Sequence, residues 1–449
     1  MSNSCWRMGC AIATAFLFSG CSGLPLDQGR SNVQSLVQAR APMMPVAGAV
    51  PGEWFAQPLT LERAQQIALL GNPSLKARYA ELGLSAADVF EAGRLQNPSL
   101  SLSWLLPTGG AEGSKVGASL MTSFADLLLR SSRQRIANLE YASLQEVIAT
   151  AVLDVLADTG RAWFECVAAN QRVAVRRSIA EAAQLAADLA RQYRDAGNIS
   201  DLELQVQRAE ATQARIALHD AQLDLADARA TLQKLLGISA LRSAWAVPES
   251  LPDMPPSALP MADELAARAI EQRLDIASAR GHVQALRVKH ESTRRYRLLV
   301  DSRVGATLDR EADGARRVGP SAEIALPVFQ QGQGAVARVE AELAAAMAKL
   351  EELEISAQAE LARQVSRREL AREQVQAYRE GLIPEREAVV ARLTEQANYM
   401  LVDSFAVLMA RQQEYDAYAG YVDAQLKFWN AHVELQRAMG SLRGLEDSR

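Results

Sequence analysis

Few side chains in this sequence have the types and spacing that catalysis or metal binding requires. No two histidines lie three or four residues apart beside cysteines or carboxylates, so no closed metal site is indicated. The histidines are His219, His282, His290 and His432. Met400 and Met409 offer soft sulfur that suits Cu(I), with ordinary packing as the alternative. Nucleophile elbows, phosphate loops and zinc motifs are also missing. The sequence therefore predicts no enzyme, no cofactor and no metal site.

The first twenty residues, 1–20, predict an export signal. A short basic start and an apolar stretch are followed by the small residues Ser19 and Gly20, directly before Cys21. This pattern is similar to a bacterial lipoprotein signal, which implies that Cys21 is acylated. Because Ser22 and not aspartate follows, the resemblance also implies sorting to the outer membrane. A simple secretory signal with a chance cysteine is the alternative.

Charge and composition narrow the class of protein. The chain has 48 basic and 53 acidic residues and a net charge of −5, with the two signs interspersed, so a nucleic-acid-binding surface is not indicated. Alanine, leucine, glutamate, arginine and glutamine dominate, which is typical of long helices. With Cys21 acylated and the signal removed, only Cys166 remains, and no disulfide within one chain is possible. Cys166 lies in a helical pattern and is interpreted as a small packing residue.

The chain repeats itself at a spacing of about 201 to 203 residues. One apolar seam with alternating steps of three and four residues runs from Ala211 to Leu235, and its counterpart runs from Glu414 to Ala438. Both seams stop at a glycine, Gly237 or Gly440, as helices commonly do. The sequence therefore predicts two copies of one structural unit.

Each copy is predicted to contain a short helix, a strand pair, a very long helix, a sharp turn and a shorter helix. A helix of about 60 residues spans about 90 Å and needs partners along its whole side. We predict a mainly α fold with a small β part, built from duplicated long antiparallel helical hairpins. A long cytoplasmic coiled coil is the alternative from the helices alone.

The predicted segments are a lipidated extended tether at 21–58, a first repeat at 59–247, a proline-rich linker at 248–260, a second repeat at 261–440 and a tail at 441–449. Within the repeats the elements fall at 59–92, 98–128, 133–195, 196–201 and 202–236, then at 262–296, 298–329, 335–396, 397–403 and 404–439.

The strand pairs are marked by a change of period from 3.6 to 2. Leu100, Leu102 and Trp104 alternate with serines, and the following segment places apolar residues up to Phe124 on one face. The second copy repeats this alternation as far as Leu326. Each strand is predicted to run about ten residues, the length that crosses a membrane when tilted. The predicted water-facing residues are Ser99, Ser101, Ser103, Asp301, Arg303, Ser321 and Glu323.

Four such strands in lipid must belong to a closed barrel, because an open sheet edge leaves backbone groups unpaired. Four strands cannot enclose a pore, so several chains must share one barrel. The polar residues then line a wet lumen and the apolar ones face lipid. A soluble sandwich with its polar face outward is the alternative.

Four motifs in this order resemble the TolC-like outer-membrane efflux family, from Leu59 to Gly440. They are Asn72–Leu75 in the first helix, Gln96–Leu100 entering the first strand, Tyr193–Leu202 at a hairpin tip and Leu326–Gly332 leaving the last strand. The resemblance implies a homotrimer with twelve transmembrane strands in one barrel and a periplasmic helical tunnel. It also implies passive conduction of small toxic solutes, drugs or metal ions, to the cell exterior. A lipid-anchored periplasmic coiled-coil scaffold without a pore is the alternative.

The resemblance further implies two partners, a periplasmic adaptor and an inner-membrane pump. The hairpin tips would dock on the adaptor through Gly197, Asn198, Ile199, Ser200, Asp201, Tyr399, Met400, Leu401 and Asp403. Where the family commonly has acidic residues after the second tip, this chain has Ala406 and Met409. Any ring of carboxylates must therefore come from Asp403, Asp201 or Glu203, or be absent.

Overall fold

The computed structural model describes residues 27, 29–41, 50–106, 114–238, 245–255, 259, 262–299, 302–311 and 313–443. The predicted signal, the acylation site Cys21 and the predicted lumen residue Asp301 lie outside these residues. Helices dominate, as predicted. Their bounds are α1 Arg30–Gln38, α2 Leu61–Gly71, α3 Pro73–Ala92, α4 Phe124–Asp195, α5 Asp201–Leu236, α6 Ala262–Gln272, α7 Leu274–Tyr296, α8 Gln333–Gln376, α9 Ile383–Asn398 and α10 Ser404–Ala438.

A single antiparallel sheet holds the four described strands in the order β1-β2-β3-β4. The strands are β1 Ser99–Leu105, β2 Lys115–Ser123, β3 Arg303–Arg310 and β4 Arg316–Glu323. The central pairing joins the two sequence repeats, since β2 lies beside β3 with Ser119 opposite Thr307. Each repeat therefore contributes one hairpin to a common sheet.

The chain divides into two compact units. The first contains the described parts of Met1–Val33, Tyr79–Gln145 and Ser278–Ala348, which include the sheet. The second contains Gln34–Arg78, Glu146–Ala277 and the described part of Lys349–Arg449. The second unit holds the larger apolar core, in which α4 packs against α5 and α10.

Aromatic residues and ion pairs join α4 to its neighbours in the second unit. The indole N–H of buried Trp163 donates to the Leu59 carbonyl at 2.7 Å, and Phe164 stacks on Trp429 with ring centroids 4.8 Å apart. Arg172 pairs with Asp423 across to α10 at 3.1 Å. Burial of each large aromatic side chain contributes roughly 1.5–3 kcal/mol, so the apolar seam stabilises the unit more than the half-exposed ion pairs.

Both helical seams end at the predicted glycine. Gly237 has φ of +68° and Gly440 has φ of +71°. Only glycine adopts this left-handed region at little cost, which explains why both helical seams stop there. A Cβ on Gly237 would also lie 2.3 Å from the Gly71 carbonyl oxygen, so the site excludes any side chain.

The helices predicted to be continuous over 59–92 and 262–296 are each broken near one third of their length. The first break falls at Asn72, whose amide donates to the Leu235 carbonyl at 3.0 Å and whose carbonyl oxygen accepts from the backbone N–H of Ser74 at 2.8 Å. The second break falls at Arg273, whose guanidinium contacts Asp275 at 2.7 Å and the Ala438 carbonyl at 3.2 Å. Each side chain donates to a backbone carbonyl in the last turn of a neighbouring helix. Such carbonyls have no partner within their own helix and would otherwise be left to solvent.

The predicted helix over 335–396 is interrupted by a π-helical turn at Ala377–Leu382. Pro384 follows two residues after this turn and has no N–H to donate, and its ring excludes the carbonyl of the preceding turn. The backbone N–H of Ile383 instead bonds to the Tyr378 carbonyl five residues back. The proline is the physical cause of this wider turn.

Three other boundaries differ from the predictions. The first long helix begins at Phe124 and not at 133, because Ser123 caps it by accepting the Asp126 N–H at 3.2 Å. The strands have 7 to 9 residues, shorter than predicted. As a result Phe124 and Leu326 lie outside them. The segment predicted to be an extended tether contains α1, since Val33 and Val37, four residues apart, are both buried.

Candidate functional site: a two-faced sheet and two hairpin tips

The strand register places polar and small residues together on one face of the sheet, here called the polar face. Residues directly opposite each other in neighbouring strands share a face. Ser101 lies opposite Ser119, Ser119 opposite Thr307 and Arg303 opposite Glu323. The predicted water-facing residues within the described chain all fall on this face: Ser99, Ser101, Ser103, Arg303, Ser321 and Glu323.

The opposite face, here called the apolar face, carries mainly aliphatic and aromatic side chains, with Arg310 opposite Arg316 at one end. One row runs from Leu102 through Ala118 and Leu308 to Val318 across all four strands. Leu102 is 72% exposed and Trp104 is 73% exposed. A contiguous exposed apolar surface of this kind marks contact with a partner or with lipid.

Glycines on the polar face were not among the predicted site residues. A Cβ on Gly117 would lie 2.6 Å from Ser103 Oγ and 2.9 Å from Asp309 Oδ1. Neighbouring side chains therefore occupy the space that a side chain at Gly117 would need, which restricts this position to glycine. Gly305 on β3 and Gly319 on β4 lie on the same face of the sheet. The spacing of these glycines in step with the serines is the sequence signal that identifies them.

The first hairpin tip joins α4 to α5 through a left-handed glycine. Gly197 has φ of +78°, and the N–H of Asn198 donates to the Tyr193 carbonyl at 2.8 Å. Ser200 then starts α5 with a capping box, in which its hydroxyl accepts from the Glu203 N–H and the Glu203 carboxylate accepts from the Ser200 N–H. The turn itself is therefore defined by local hydrogen bonds.

The second hairpin tip joins α9 to α10 with methionine in the position of the glycine. Met400, 203 residues after Gly197, has φ of +56° and is 93% exposed. The N–H of Leu401 donates to the Gln396 carbonyl at 3.0 Å, as the equivalent bond does in the first tip. Tyr399 and Leu401 are also exposed. This tip therefore presents three adjacent apolar side chains to solvent.

The two tips lie close together in the second unit. The rings of Tyr193 and Phe405 meet edge to face with centroids 6.0 Å apart. The structure thus brings together the two predicted tips, which are about 200 residues apart in the sequence.

The acids proposed for a carboxylate ring each have a local role. Asp403 accepts from the Ala406 N–H at 2.7 Å and caps α10. Asp201 accepts from Arg194 Nε at 2.7 Å, and this hydrogen bond lowers the pKa of Asp201. The Ser200 backbone N–H lowers the pKa of Glu203. Because both pKa values are depressed, these contributions are present at neutral pH and are lost as the pH falls below the ordinary carboxyl range.

The two tips make a matched pair for a stability experiment. We expect Gly197→Ala to destabilise the protein by about 1 kcal/mol, because an L-residue at this φ is strained and nothing within 4 Å of the new Cβ compensates. Met400→Gly should relieve the same strain and raise the melting temperature. Thermal unfolding followed by circular dichroism at 222 nm measures both. A lower melting temperature for Met400→Gly would show that the methionine side chain stabilises the tip.

No described helix combines the length and the apolar character needed to cross a membrane. Within the described chain no cluster of three or more His, Cys, Asp or Glu residues has the arrangement of a metal site.

Comparisons with known proteins agree with this architecture. Residues 64–238 match the family model of the outer membrane efflux protein. The cobalt-zinc-cadmium resistance protein CzcC of Cupriavidus metallidurans is 29% identical over 289 residues, which cover 62% of this chain and 65% of CzcC. The chain thus matches slightly less than two thirds of the length of that relative.

Solved structures share the fold. A membrane protein from Pseudomonas aeruginosa superposes with a TM-score of 0.70 at 21% identity, covering 85% of this chain and 93% of that one. The CmeC outer membrane channel of Campylobacter jejuni gives a TM-score of 0.72 at 16% identity, covering 85% of each chain. The family match, the relative and the fold together confirm the resemblance to the TolC-like outer-membrane efflux family.

Proposed function

We propose that this chain is the outer-membrane channel of a tripartite efflux system. Three copies would share one twelve-stranded barrel, and their long helices would form a periplasmic tunnel. The tunnel would receive solutes from a periplasmic adaptor bound to an inner-membrane pump. The family match and the shared fold support this proposal.

The observation that carries the proposal is the separation of the sheet into a polar and an apolar face. A soluble sheet buries its apolar face, whereas here Leu100, Leu102 and Trp104 remain exposed. The outer strands β1 and β4 run in opposite directions, so β4 of one copy can pair antiparallel with β1 of the next. Three copies then close twelve strands, with the apolar faces toward lipid and the polar faces around water.

The exposed residues of the second tip support an adaptor-docking role. Tyr399, Met400 and Leu401 are adjacent, apolar and held on a locally rigid turn. Aromatic residues and methionine are enriched in the cores of protein interfaces. The tip therefore has the composition of a docking surface for a second protein.

The proposed cargo is a small toxic solute, either a drug or a metal ion. The relative in Cupriavidus metallidurans is named for resistance to cobalt, zinc and cadmium, which supports including metals, as ions or as complexes, in the proposed cargo. The channel itself would be passive, and the pump would supply the energy.

Planar-bilayer recording of the purified protein tests the proposal. We expect discrete single-channel conductance steps, together with an oligomer that dissociates on heating in gel electrophoresis. A nonconducting monomer that fractionates with the periplasm would instead identify a lipid-anchored scaffold without a pore.

We also propose that Cys21 carries the lipid anchor. Cys21→Ala should abolish incorporation of radiolabelled palmitate, while the barrel still inserts because it is a second anchor. Acyl chains contribute about 0.8 kcal/mol per buried methylene, so loss of the anchor should weaken attachment of any unassembled chains. Labelling that persists in the variant would exclude Cys21 as the acylated residue.

A further inference from the structure

A groove of about 1110 Å³ lies in the second unit between α4, α5, α8 and α10. Its lining contains six basic and three acidic residues. The basic ones are Arg161, Lys234, Arg363, Arg367, Lys427 and Arg437. This basic groove plays no part in the sheet or in the tips.

Each acidic residue of the basic groove is already paired with an arginine. Asp158 contacts Arg161 at 2.5 Å, and Glu434 contacts the same guanidinium at 2.7 Å. Glu165 contacts Arg172 at 2.7 Å. The negative charges of the groove are therefore neutralised within the helical wall.

Four cations of the groove have no such partner. Within the described chain, no carboxylate lies within ion-pair distance of Lys234, Arg363, Arg367 or Lys427. All four are exposed at the groove. Arg363 and Arg367 are four residues apart on α8 and so lie on the same helical face. The groove thus presents uncompensated positive charge from three helices.

A buried amide also lines the groove without a partner. Gln364 is 3% exposed, and its Oε1 has no hydrogen-bond partner among the described residues. A buried side-chain amide normally makes hydrogen bonds, and it can turn to offer either its oxygen or its N–H₂ group. Gln364 is therefore available to a ligand together with the four cations.

The groove lies on one side of α4. Two chain segments, one at Leu59 and the linker at Leu251, cross the helices on the other side. Trp163, which bonds to the Leu59 carbonyl, is two residues from Arg161 and therefore about 200° around the helix. The linker crosses on the Trp163 side, where the Leu251 N–H bonds to Gln171. Segments that cross the helices would obstruct the interior of a conducting tunnel. The side of α4 that carries the groove has no such crossing among the contacts named above, so it is the side suited to face the tunnel interior.

We infer that the basic groove lines the interior of the tunnel and binds anionic solutes in transit. This inference rests on the proposed function and narrows its cargo toward anionic drugs, oxyanions and negatively charged metal complexes. In a trimer the four unpaired cations of each copy give twelve around one passage. Free divalent cations would be disfavoured at this ring by charge repulsion.

Inorganic tripolyphosphate is the probe for this ring. Added to the intact trimer in a planar bilayer, it should block the current. We expect Arg363→Gln with Arg367→Gln to raise the half-blocking concentration about tenfold and to shift the reversal potential in a KCl gradient toward that of K⁺. Lys234→Gln with Lys427→Gln should act in the same direction. A matched control is Arg208→Gln with Arg215→Gln, since these exposed arginines of α5 do not line the groove.

The possible results distinguish failure of the groove inference from failure of the channel proposal. Conduction without tripolyphosphate block, or block that is equal in the groove and control variants, would overturn the groove inference and leave the channel standing. No conductance in any variant would overturn the channel and the groove together.

Discussion

Leu102→Arg is expected to abolish the membrane-inserted oligomer. Leu102 lies midway along β1 on the apolar face and is 72% exposed in one copy. An arginine facing lipid near the bilayer midplane costs about 2–4 kcal/mol in each copy, and three copies share the barrel. Fractionation of the outer membrane followed by unheated gel electrophoresis measures the oligomer, which should fall below detection.

Ser101→Arg is the matched control, because Ser101 is the adjacent residue on the polar face. A charge facing water in the lumen should leave the oligomer at its normal level. Equal loss from both variants would mean that the two faces of β1 have equivalent surroundings, which the proposed barrel does not allow.

Leu401→Glu is expected to weaken binding of the periplasmic adaptor by about 10- to 100-fold. Leu401 is exposed, and only its backbone takes part in the turn. Truncation of an interface hot spot costs about 2 kcal/mol or more, which corresponds to a factor above ten, and Leu401→Glu also places a charge in the contact. Titration of the purified trimer with the adaptor by interferometry measures the affinity.

Leu223→Glu controls for the added charge. Leu223 is an exposed leucine in the middle of α5, away from both tips. Its variant should bind the adaptor as the native protein does. Unchanged affinity for Leu401→Glu would remove the second tip from the docking surface.

Much of this architecture could be predicted because the sequence repeats its own patterns. The alternation around Leu100, Leu102 and Trp104 has period 2, and the register of the sheet keeps these three residues on one face. The seam from Ala211 to Leu235 has a helical period and lies in α5. Periodicity is a local property, and it assigned the faces of these elements before any tertiary contact was known.

The errors occurred where a single side chain decides a boundary, either through a tertiary contact or through a local backbone effect. Asn72 breaks a helix by bonding to the Leu235 carbonyl, 163 residues away in the sequence. Pro384 was visible in the sequence, but the wider turn that accommodates it was not predicted. The capping box of Ser200 and Glu203 could have been found, because Ser-x-x-Glu before a helix is its signature.

The candidate sites divide in the same way. The polar face and the tips follow from local patterns and were predicted by residue. The basic groove was not predicted, because its cations come from helices that are far apart in the sequence, and because Glu434 of α10 meets Arg161 of α4 only in the folded chain. The spacing of charges along α4 is consistent with the pairs Asp158–Arg161 and Glu165–Arg172, but nothing in the sequence indicates the contact between Arg161 and Glu434.

Alternating cysteine labelling along β1 tests the barrel most directly. In cells, Ser101→Cys and Ser103→Cys should react with a membrane-impermeant maleimide, whereas Leu102→Cys and Trp104→Cys should not. Background from Cys166 should be low, because burial raises the pKa of its thiol to about 11 and little thiolate is present at neutral pH. Equal labelling at all four positions would contradict a β1 strand with one face in water and the other in lipid.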